Sequence, residues 1–448
     1  MKLEGRSALV VGLGKSGVAA ARLLIARGAR VFAADDKPAS ELAQPLQLLG
    51  LKDVRPVAPK SLRDADLVVV SPGVPPTLRI FAEARARGLQ IIGEVELAAR
   101  FIDEPILGVT GTNGKSTTTA LCGHLLKSAG LRVFVGGNLG NALSNRVLEG
   151  DELDATVCEL SSYQLETVEH LRCAAAVVLN VTPDHLDRYP SLEAYAAAKA
   201  RIFERQQSGD MAVLNLADAR VAAMRTEEHV ARMGFDPRFP RPETPLPPRT
   251  LLAGFLKGPR TLHVVAHDLQ LRVPTLRGAH NAENAFAACL LAFRLGLTPL
   301  EMQRGLDTYP GLPHRLEPVR VLDGVEWIND SKATNVDSVE KSLGAFDANV
   351  ILIIGGRGKG APYAPLRALF GRVKALLTVG EDAKRIAAEL GDAAPVTACG
   401  DLSRAVAKAR SLARAGDVVL LSPACASYDQ FKNFEDRGEQ FKRMVGEL

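Results

Sequence analysis

Short apolar runs recur along this chain, and each gives way to glycine, a small polar residue or an acid. They predict strands over 7–11, 31–34, 67–70, 91–93, 105–109, 132–135, 155–158, 174–179, 325–328, 350–354, 376–379 and 418–421. Between the runs, apolar residues return at helical spacing. Leu121, Leu125 and Leu126 predict a helix over 117–129, and further helices are expected over 94–101, 192–204 and 284–295. Buried-type strands that alternate with helices are the pattern of an α/β protein built on parallel sheets. A hairpin region is expected over 261–273. Before it, the stretch 236–249 carries six prolines and reads as an exposed loop.

The turns after the strands carry the chemistry. Gly12-Leu-Gly14-Lys15-Ser16-Gly17 follows the first strand, with Asp35 and Asp36 at the end of the second. This spacing is a dinucleotide fingerprint: glycines bring the backbone against a diphosphate at a helix N-terminus, and an acid waits about 20 residues on. Any nucleoside diphosphate can use the same N-terminus, so an oxidoreductase and other nucleotide-binding enzymes both remain open. Ser71-Pro72-Gly73 follows a further strand of this unit, which ends near residue 93.

The second glycine turn is Gly111-Thr112-Asn113-Gly114-Lys115-Ser116-Thr117, set between a strand and a helix. It is a shortened phosphate loop, with Lys115 to neutralise phosphate and the Ser116 hydroxyl suited to Mg²⁺. Glu159 ends a strand beside this loop, where nucleotide enzymes hold Mg²⁺. His185 follows another strand end, between Asp184 and Asp187. Lys199 lies on an otherwise Ala-rich helix. His280 and Asn281 are expected to cap the 284–295 helix, which leaves Asn284 for a ligand. A non-catalytic phosphate-binding switch would also use such a loop.

Composition narrows the classes. The chain has 448 residues, enough for about three domains, and a formal net charge of only +4. No dense Lys/Arg run argues for nucleic acid. The six cysteines are scattered without a C-x-x-C pair, which fits free thiols in a reducing compartment. The first residues are not expected to act as a signal segment, and no apolar stretch of about 20 residues occurs in the sequence. A cytoplasmic protein without membrane or nucleic-acid partners is expected.

T-G-T-N-G-K-S-T, E-L-S-S-Y-Q-L-E, T-P-D-H-L-D-R-Y, G-x-H-N-x-x-N, L-P-H-R-L-E, N-D-S-K-A-T-N and S-P-A-C-A-S-Y-D-Q-F occur in that order. Together they resemble the Mur ligase family, along the whole chain. D-S-K-A-T-N and S-P-A-C-A-S-x-D-Q-F point to its glutamate-adding member. The resemblance implies three domains: a Rossmann-like unit over 1–93 for the UDP precursor, a P-loop ATPase-like unit over 94–311, and a doubly wound α/β unit over 312–448 for the amino acid. It implies a monomer that acts in peptidoglycan precursor synthesis. ATP would phosphorylate the carboxylate of UDP-N-acetylmuramoyl-L-alanine, and the amine of D-glutamate would displace the phosphate.

Site residues follow from the same resemblance. Gly14, Lys15, Ser16, Gly17, Asp35, Asp36, Ser71, Pro72, Gly73 and Asn138 would hold the UDP precursor, with Asn138 also near the acyl group. Residues 111 to 117 would hold the ATP phosphates, and Asn284, Arg315 and Asp330 the rest of the nucleotide. Lys332, Thr334, Lys359, Ser427 and Phe434 would form the D-glutamate pocket. Ser116, Glu159, His185 and Lys199 would serve two Mg²⁺ sites, with Lys199 carrying a CO₂-derived carbamate. Lys115, Asn138, His185 and Lys199 are the expected catalytic set. Two residues depart from the family's usual pattern: Lys15 beside the uracil face, and Arg357 in a loop that commonly carries an acid. Handedness at one carbon leaves no motif, so L-glutamate or another amino acid stays open as the acceptor.

Overall fold

A computed structural model of the chain describes residues 1–184, 188–238, 243 and 245–448. It contains three sheets. It also divides into two compact units, one of Met1–Gln270 with Glu283–Gly305, the other of Leu271–Ala282 with Leu306–Leu448.

In the first unit, β1 (Ser7–Val11), β2 (Arg30–Ala34), β3 (Leu67–Val70) and β4 (Gln90–Gly93) form a parallel sheet in the order β2-β1-β3-β4. All four residues of β3, Leu-Val-Val-Val, are buried, as a strand covered on both faces requires. Val10, Leu67 and Val69 face one core, and Leu9, Val11 and Val68 face the other. The first of these cores continues without a break into the next sheet, through residues such as Phe134, Leu160 and Leu165.

That next sheet has nine strands. They are β5 (Ile106–Thr110), β6 (Val133–Gly137), β7 (Ala155–Glu159), β8 (Ala175–Val178), β9 (Met211–Asn215), β10 (Ala231–Asp236), β11 (Thr250–Gly258), β12 (Thr261–Val264) and β13 (His267–Gln270). The order is β13-β12-β11-β10-β9-β8-β5-β7-β6, parallel except for the β11-β12-β13 meander. The hairpin expected over 261–273 is present as β12 and β13. Its two turn residues, Val265 and Ala266, both have positive φ, the backbone of a two-residue turn whose twist matches its strands. The proline-rich loop falls in part on residues 239–242 and 244, outside the described residues.

In the second unit, β14 (Glu317–Leu322), β15 (Val325–Asn329), β16 (Val350–Gly355), β17 (Val373–Val379), β18 (Val396–Gly400) and β19 (Val418–Leu421) form a sheet in the order β14-β15-β19-β16-β17-β18. Only β14 runs antiparallel. Separate cores cover its two faces, one around Leu352, Ile354 and Leu420, the other around Trp327, Ile353 and Phe441.

One helix differs from the sequence expectation. It spans Ala279–Arg294 and so begins five residues before 284. Asn281 is therefore inside the first turn and is not a cap. Its amide donates backwards to the carbonyls of Thr275 and Arg277, 3.4 and 2.9 Å away. Gly278, with φ of +91°, makes the break that the sequence reading placed later. Among the described residues, no helix is long and apolar enough to cross a membrane.

Each sheet places the predicted residues at the C-terminal ends of adjacent strands. β1 is flanked by β2 and β3, β5 by β8 and β7, and β19 by β15 and β16. These are the points where strand order reverses, the usual crevice for ligands in open α/β sheets.

Candidate functional site

The loop after β5 is built by local constraint. Gly114 precedes the helix Lys115–Ser128 in a left-handed conformation, φ +86°. A Cβ there would lie 2.3 Å from the Asn284 Oδ1, so only glycine fits beside that side chain. Asn284 in turn accepts from the Thr118 hydroxyl at 3.1 Å. The structure thus puts Asn284 against the phosphate loop across 166 residues of sequence.

The two lysines converge on the same loop. Lys115 Nζ folds back onto the carbonyls of Gly111 and Thr112, at 2.9 and 2.8 Å. Lys199 Nζ donates to Gly111 O at 2.8 Å and lies 4.3 Å from the Tyr195 ring centroid. Lys199 is only 1% exposed. Burial pushes its amine down to about 6, and the Lys115 charge adds to this, against a partial opposing pull from Asp184 and Glu159. A neutral, nucleophilic amine is the favoured form near neutral pH.

Glu159 ends β7, and its Oε1 accepts from Asn138 Nδ2 at 2.7 Å. The Asn138 backbone N–H also donates to Glu159 O, 2.8 Å away. The second carboxylate oxygen, Oε2, is buried without a hydrogen-bond partner among the described residues. Such an oxygen costs free energy unless something meets it, and a hard cation is the fitting partner. On this donor set, Mg²⁺ fits at Glu159. His185 lies outside the described residues.

The glycine loop after β1 is similarly forced. A Cβ on Gly17 would sit 1.8 Å from Gly12 O, and Gly12 itself has φ of +88°. Ser71 Oγ donates to Gly12 O at 2.7 Å, joining two of the predicted segments. Asp35 is engaged by the loops themselves: its oxygens accept from Leu13 N (2.6 Å) and Lys37 N (2.9 Å). Asp36, Gly14 and Lys15 are exposed, and Ser16 is half-buried. Lys15 lines a groove with Val18, Arg22, Leu48 and Asn145. A second cavity lies behind Ser71 and Pro72, against Glu94, Tyr163 and Arg188.

In the second unit, Lys332 Nζ lies 3.7 Å from the Phe434 ring centroid, which brings two predicted pocket residues together. His314 meets Phe434 edge-on, with ring centroids 5.9 Å apart, and its carbonyl accepts from Lys332 N. Ser427 is buried, Thr334 half-buried and Lys359 exposed. Asp330, at the end of β15, accepts from Ser422 Oγ at 2.8 Å and Leu316 N at 3.2 Å. Burial raises its carboxyl to about 6 despite these donors, the Ser342 hydroxyl and the nearby Arg315 charge. The Arg357 guanidinium makes a two-pronged pair with Glu381, at 3.0 and 2.9 Å, while its backbone bridges to Ala426 beside Ser427.

Several contributors escaped the sequence reading. Tyr195 is four residues before Lys199, a helical spacing that could have flagged it. Arg437 is 2% exposed and ties Ser331 to the Cys425 carbonyl, a bridge over more than 100 residues that carries no local signal.

Residues 6–93 match the Mur ligase MurD-like N-terminal domain, 109–292 the Mur ligase middle domain, and 314–425 the Mur ligase glutamate ligase domain. A UDP-N-acetylmuramoylalanine--D-glutamate ligase of Myxococcus xanthus (strain DK1622) is 53% identical over 454 residues, covering 100% of both chains. One of Anaeromyxobacter dehalogenans (strain 2CP-C) is 52% identical, covering 100% of this chain and 98% of its own. Among solved structures, a pseudomurein peptide ligase type C from Methanothermus fervidus superposes with a TM-score of 0.61 at 19% identity, covering 99% of this chain and 100% of its own. The UDP-N-acetylmuramate-alanine ligase MurC from Thermotoga maritima does so with a TM-score of 0.59 at 18% identity, covering 99% of each. At these identities the two structures speak for the fold alone.

Proposed function

The chain belongs to the Mur ligase family, and from that premise we propose that it joins D-glutamate to UDP-N-acetylmuramoyl-L-alanine with consumption of ATP. The observation that carries the reading is the convergence of Lys115, Lys199 and the Thr112–Asn113 turn on one phosphate loop, with a buried, half-partnered Glu159 on the neighbouring strand. The full-length identity to curated D-glutamate ligases supports the choice of amino acid.

A carboxylate is a poor electrophile, so the reaction needs a leaving group on it. ATP supplies this by transferring its γ-phosphoryl group to the alanyl carboxylate. The D-glutamate amine then attacks the acyl carbon, a tetrahedral intermediate forms, and phosphate leaves as the amide closes. Phosphoryl transfer demands positioning and charge neutralisation more than covalent help from the protein. Lys115 neutralises phosphate charge, and the amides at the start of the helix Lys115–Ser128 face the anion. Asn138 orients Glu159 through its amide. Gly14–Gly17, the cap and first turn of the helix Lys15–Ala26, takes the diphosphate of the precursor, and Ser71 lies against the preceding Gly12 carbonyl.

Mg²⁺ would be held by Ser116, Glu159, His185 and a carbamate on Lys199, at two sites; when bound it neutralises phosphate charge. The carbamate forms when the neutral Lys199 amine attacks CO₂ and releases a proton, which turns an uncharged nitrogen donor into an anionic oxygen donor. The low basicity of the buried amine supports this step. Asn284, Arg315 and Asp330 serve the nucleoside. Lys332, Thr334, Lys359, Ser427 and Phe434 take D-glutamate, whose two carboxylates call for cations and hydroxyls. We place the working protein in the cytoplasm as a monomer.

The test is direct. The purified protein is supplied with ATP, Mg²⁺, the UDP precursor and each candidate amino acid in turn, and amide product and ADP are measured. Turnover that needs both the precursor and D-glutamate is expected. Equal turnover with L-glutamate would move the assignment to a sister ligase, and NAD(H) binding in place of the UDP precursor would overturn it.

A further inference from the structure

Asn180 stands just beyond β8, next to β5, and spends its whole side chain on the phosphate loop. Its Oδ1 accepts from the backbone N–H groups of Thr112 (3.1 Å) and Asn113 (2.8 Å). Its Nδ2 donates to Asn113 O at 3.2 Å. The Asn180 main-chain carbonyl accepts a further bond from Thr112 N, 2.9 Å away. The loop between Gly111 and Gly114 has only two other residues, and Asn180 grips both.

The same segment is anchored on its other side. Asn215 Nδ2 donates to Leu179 O at 2.9 Å, and Val181 N donates to Asp218 Oδ2 at 2.7 Å. Two residues on, Thr182 N donates to Thr112 Oγ1 at 3.1 Å, and that hydroxyl reaches back to Thr182 O at 3.3 Å. Thr182 opens the Thr-Pro-Asp turn that leads to His185. A short segment, fixed at its back, thus presents one face to the phosphate loop and leads in sequence to His185, proposed above as a metal ligand.

We propose that Asn180 is a positioning residue for phosphoryl transfer: it sets the phosphate loop in its working shape before ATP arrives and keeps it in register with the Thr182–Asp184 turn. The proposal rests on the phosphate-loop reading above. A loop ordered in advance does not draw on ATP binding for its ordering. Without the side chain, the N–H groups of Thr112 and Asn113 both lose the Oδ1 acceptor, Thr112 N keeps only the Asn180 carbonyl of its two bonds to this residue, and ATP must do more of the ordering of the loop. A shift of about 1 Å in the phosphate can then cost about a hundredfold in rate.

Asn180→Ala, Asn180→Ser and Asn180→Asp separate the roles. In Asn180→Ala the KM for ATP should rise about tenfold or more, kcat should fall, and the KM for the UDP precursor should stay within about twofold. Asn180→Asp keeps both acceptor bonds, but sets an oxygen against Asn113 O and a negative charge beside the polyphosphate, so its ATP affinity should fall further still. Hydrogen exchange at residues 111–114 should quicken in the free Asn180→Ala protein and return to the wild-type rate with Mg²⁺ and ADP. Unchanged KM for ATP and unchanged exchange would overturn the proposal. So would both KM values rising together with a fall in melting temperature, or failure of both the alanine and serine variants to fold, which would assign Asn180 to the fold alone. If the wild type made no amide with any amino acid, the ligase reading would fail, while the exchange measurement with Mg²⁺ and ADP would still decide for or against Asn180.

Discussion

Lys199 Nζ donates to Gly111 O at 2.8 Å from a position that solvent barely reaches. A lysine on an Ala-rich helix would ordinarily point to water. This one points into the phosphate loop, packs against Tyr195 and gives up its charge easily.

If that amine carries a carbamate in the working enzyme, Lys199→Ala should lose most activity, on the order of a hundredfold or more. Added acetate or formate should restore part of it by filling the vacated space with carboxylate oxygens. Wild-type activity should drop in CO₂-free buffer and recover with bicarbonate. Full activity in CO₂-free buffer, with no carboxylate rescue of Lys199→Ala, would dispose of the carbamate.

Lys115→Ala addresses the loop from its other lysine. ATP-dependent ligation should be abolished. Affinity for the UDP precursor should stay close to wild type, because the glycine loop after β1 belongs to a different sheet. Calorimetric titration with the precursor, alongside a turnover assay, checks both halves. Near-normal turnover would remove Lys115 from the phosphate site.

Much of this arrangement is legible in the sequence because it is local. Gly114 needs a left-handed backbone just before its helix, Gly17 needs room for Gly12 O in the first turn of its own, and both requirements are written as glycine where a helix follows a strand. What stays hidden is the long-range part. The grip of Asn180 on Asn113 spans 67 residues, and the bond of Ser331 to the Phe434 carbonyl spans 103. Neither leaves a periodicity. The 279–294 helix shows a different failure: it opens Ala-His-Asn-Ala-Glu-Asn, and polar residues there read as a cap until the Asn281 amide is seen donating backwards to Arg277 O. β14 also escaped notice, since an edge strand with mostly exposed or half-buried residues lacks the apolar run that marked its neighbours.

Glu159→Gln is nearly isosteric and can keep the bond from Asn138 through its remaining oxygen. It replaces the partnerless oxygen by an amide nitrogen, which repels a cation. Folding should be little changed or slightly favoured, since a buried charge is removed. Activity should fall by about a hundredfold or more, and the Mg²⁺ concentration for half-maximal rate should rise. A melting curve and a Mg²⁺ titration of turnover read the two effects separately. A normal Mg²⁺ curve with normal activity would exclude Glu159 as a ligand.

Asp330 supplies the pH dependence. Burial raises its carboxyl from 3.8 to about 6, so the folded protein holds this proton more tightly than the unfolded chain does. Its contribution to stability is therefore full below about 4, falls as pH climbs from about 4 to about 6, and is flat above that. Asp330→Asn should remove this dependence. Asparagine can still accept from Leu316 N and can donate to Ser422 Oγ, so the difference in melting temperature between variant and wild type should shift in favour of the variant across that pH window. The catalytic effect runs the other way. If the ionised carboxylate accepts from a ribose hydroxyl, the KM for ATP should rise as pH falls through about 6 in the wild type. In Asp330→Asn it should be high, by about tenfold, and should lose the share of the pH dependence that this carboxyl supplies. Melting curves and ATP KM values, taken at intervals from pH 5 to about 8, test both signs at once. A variant whose KM for ATP matched wild type at neutral pH would take Asp330 out of the nucleoside site.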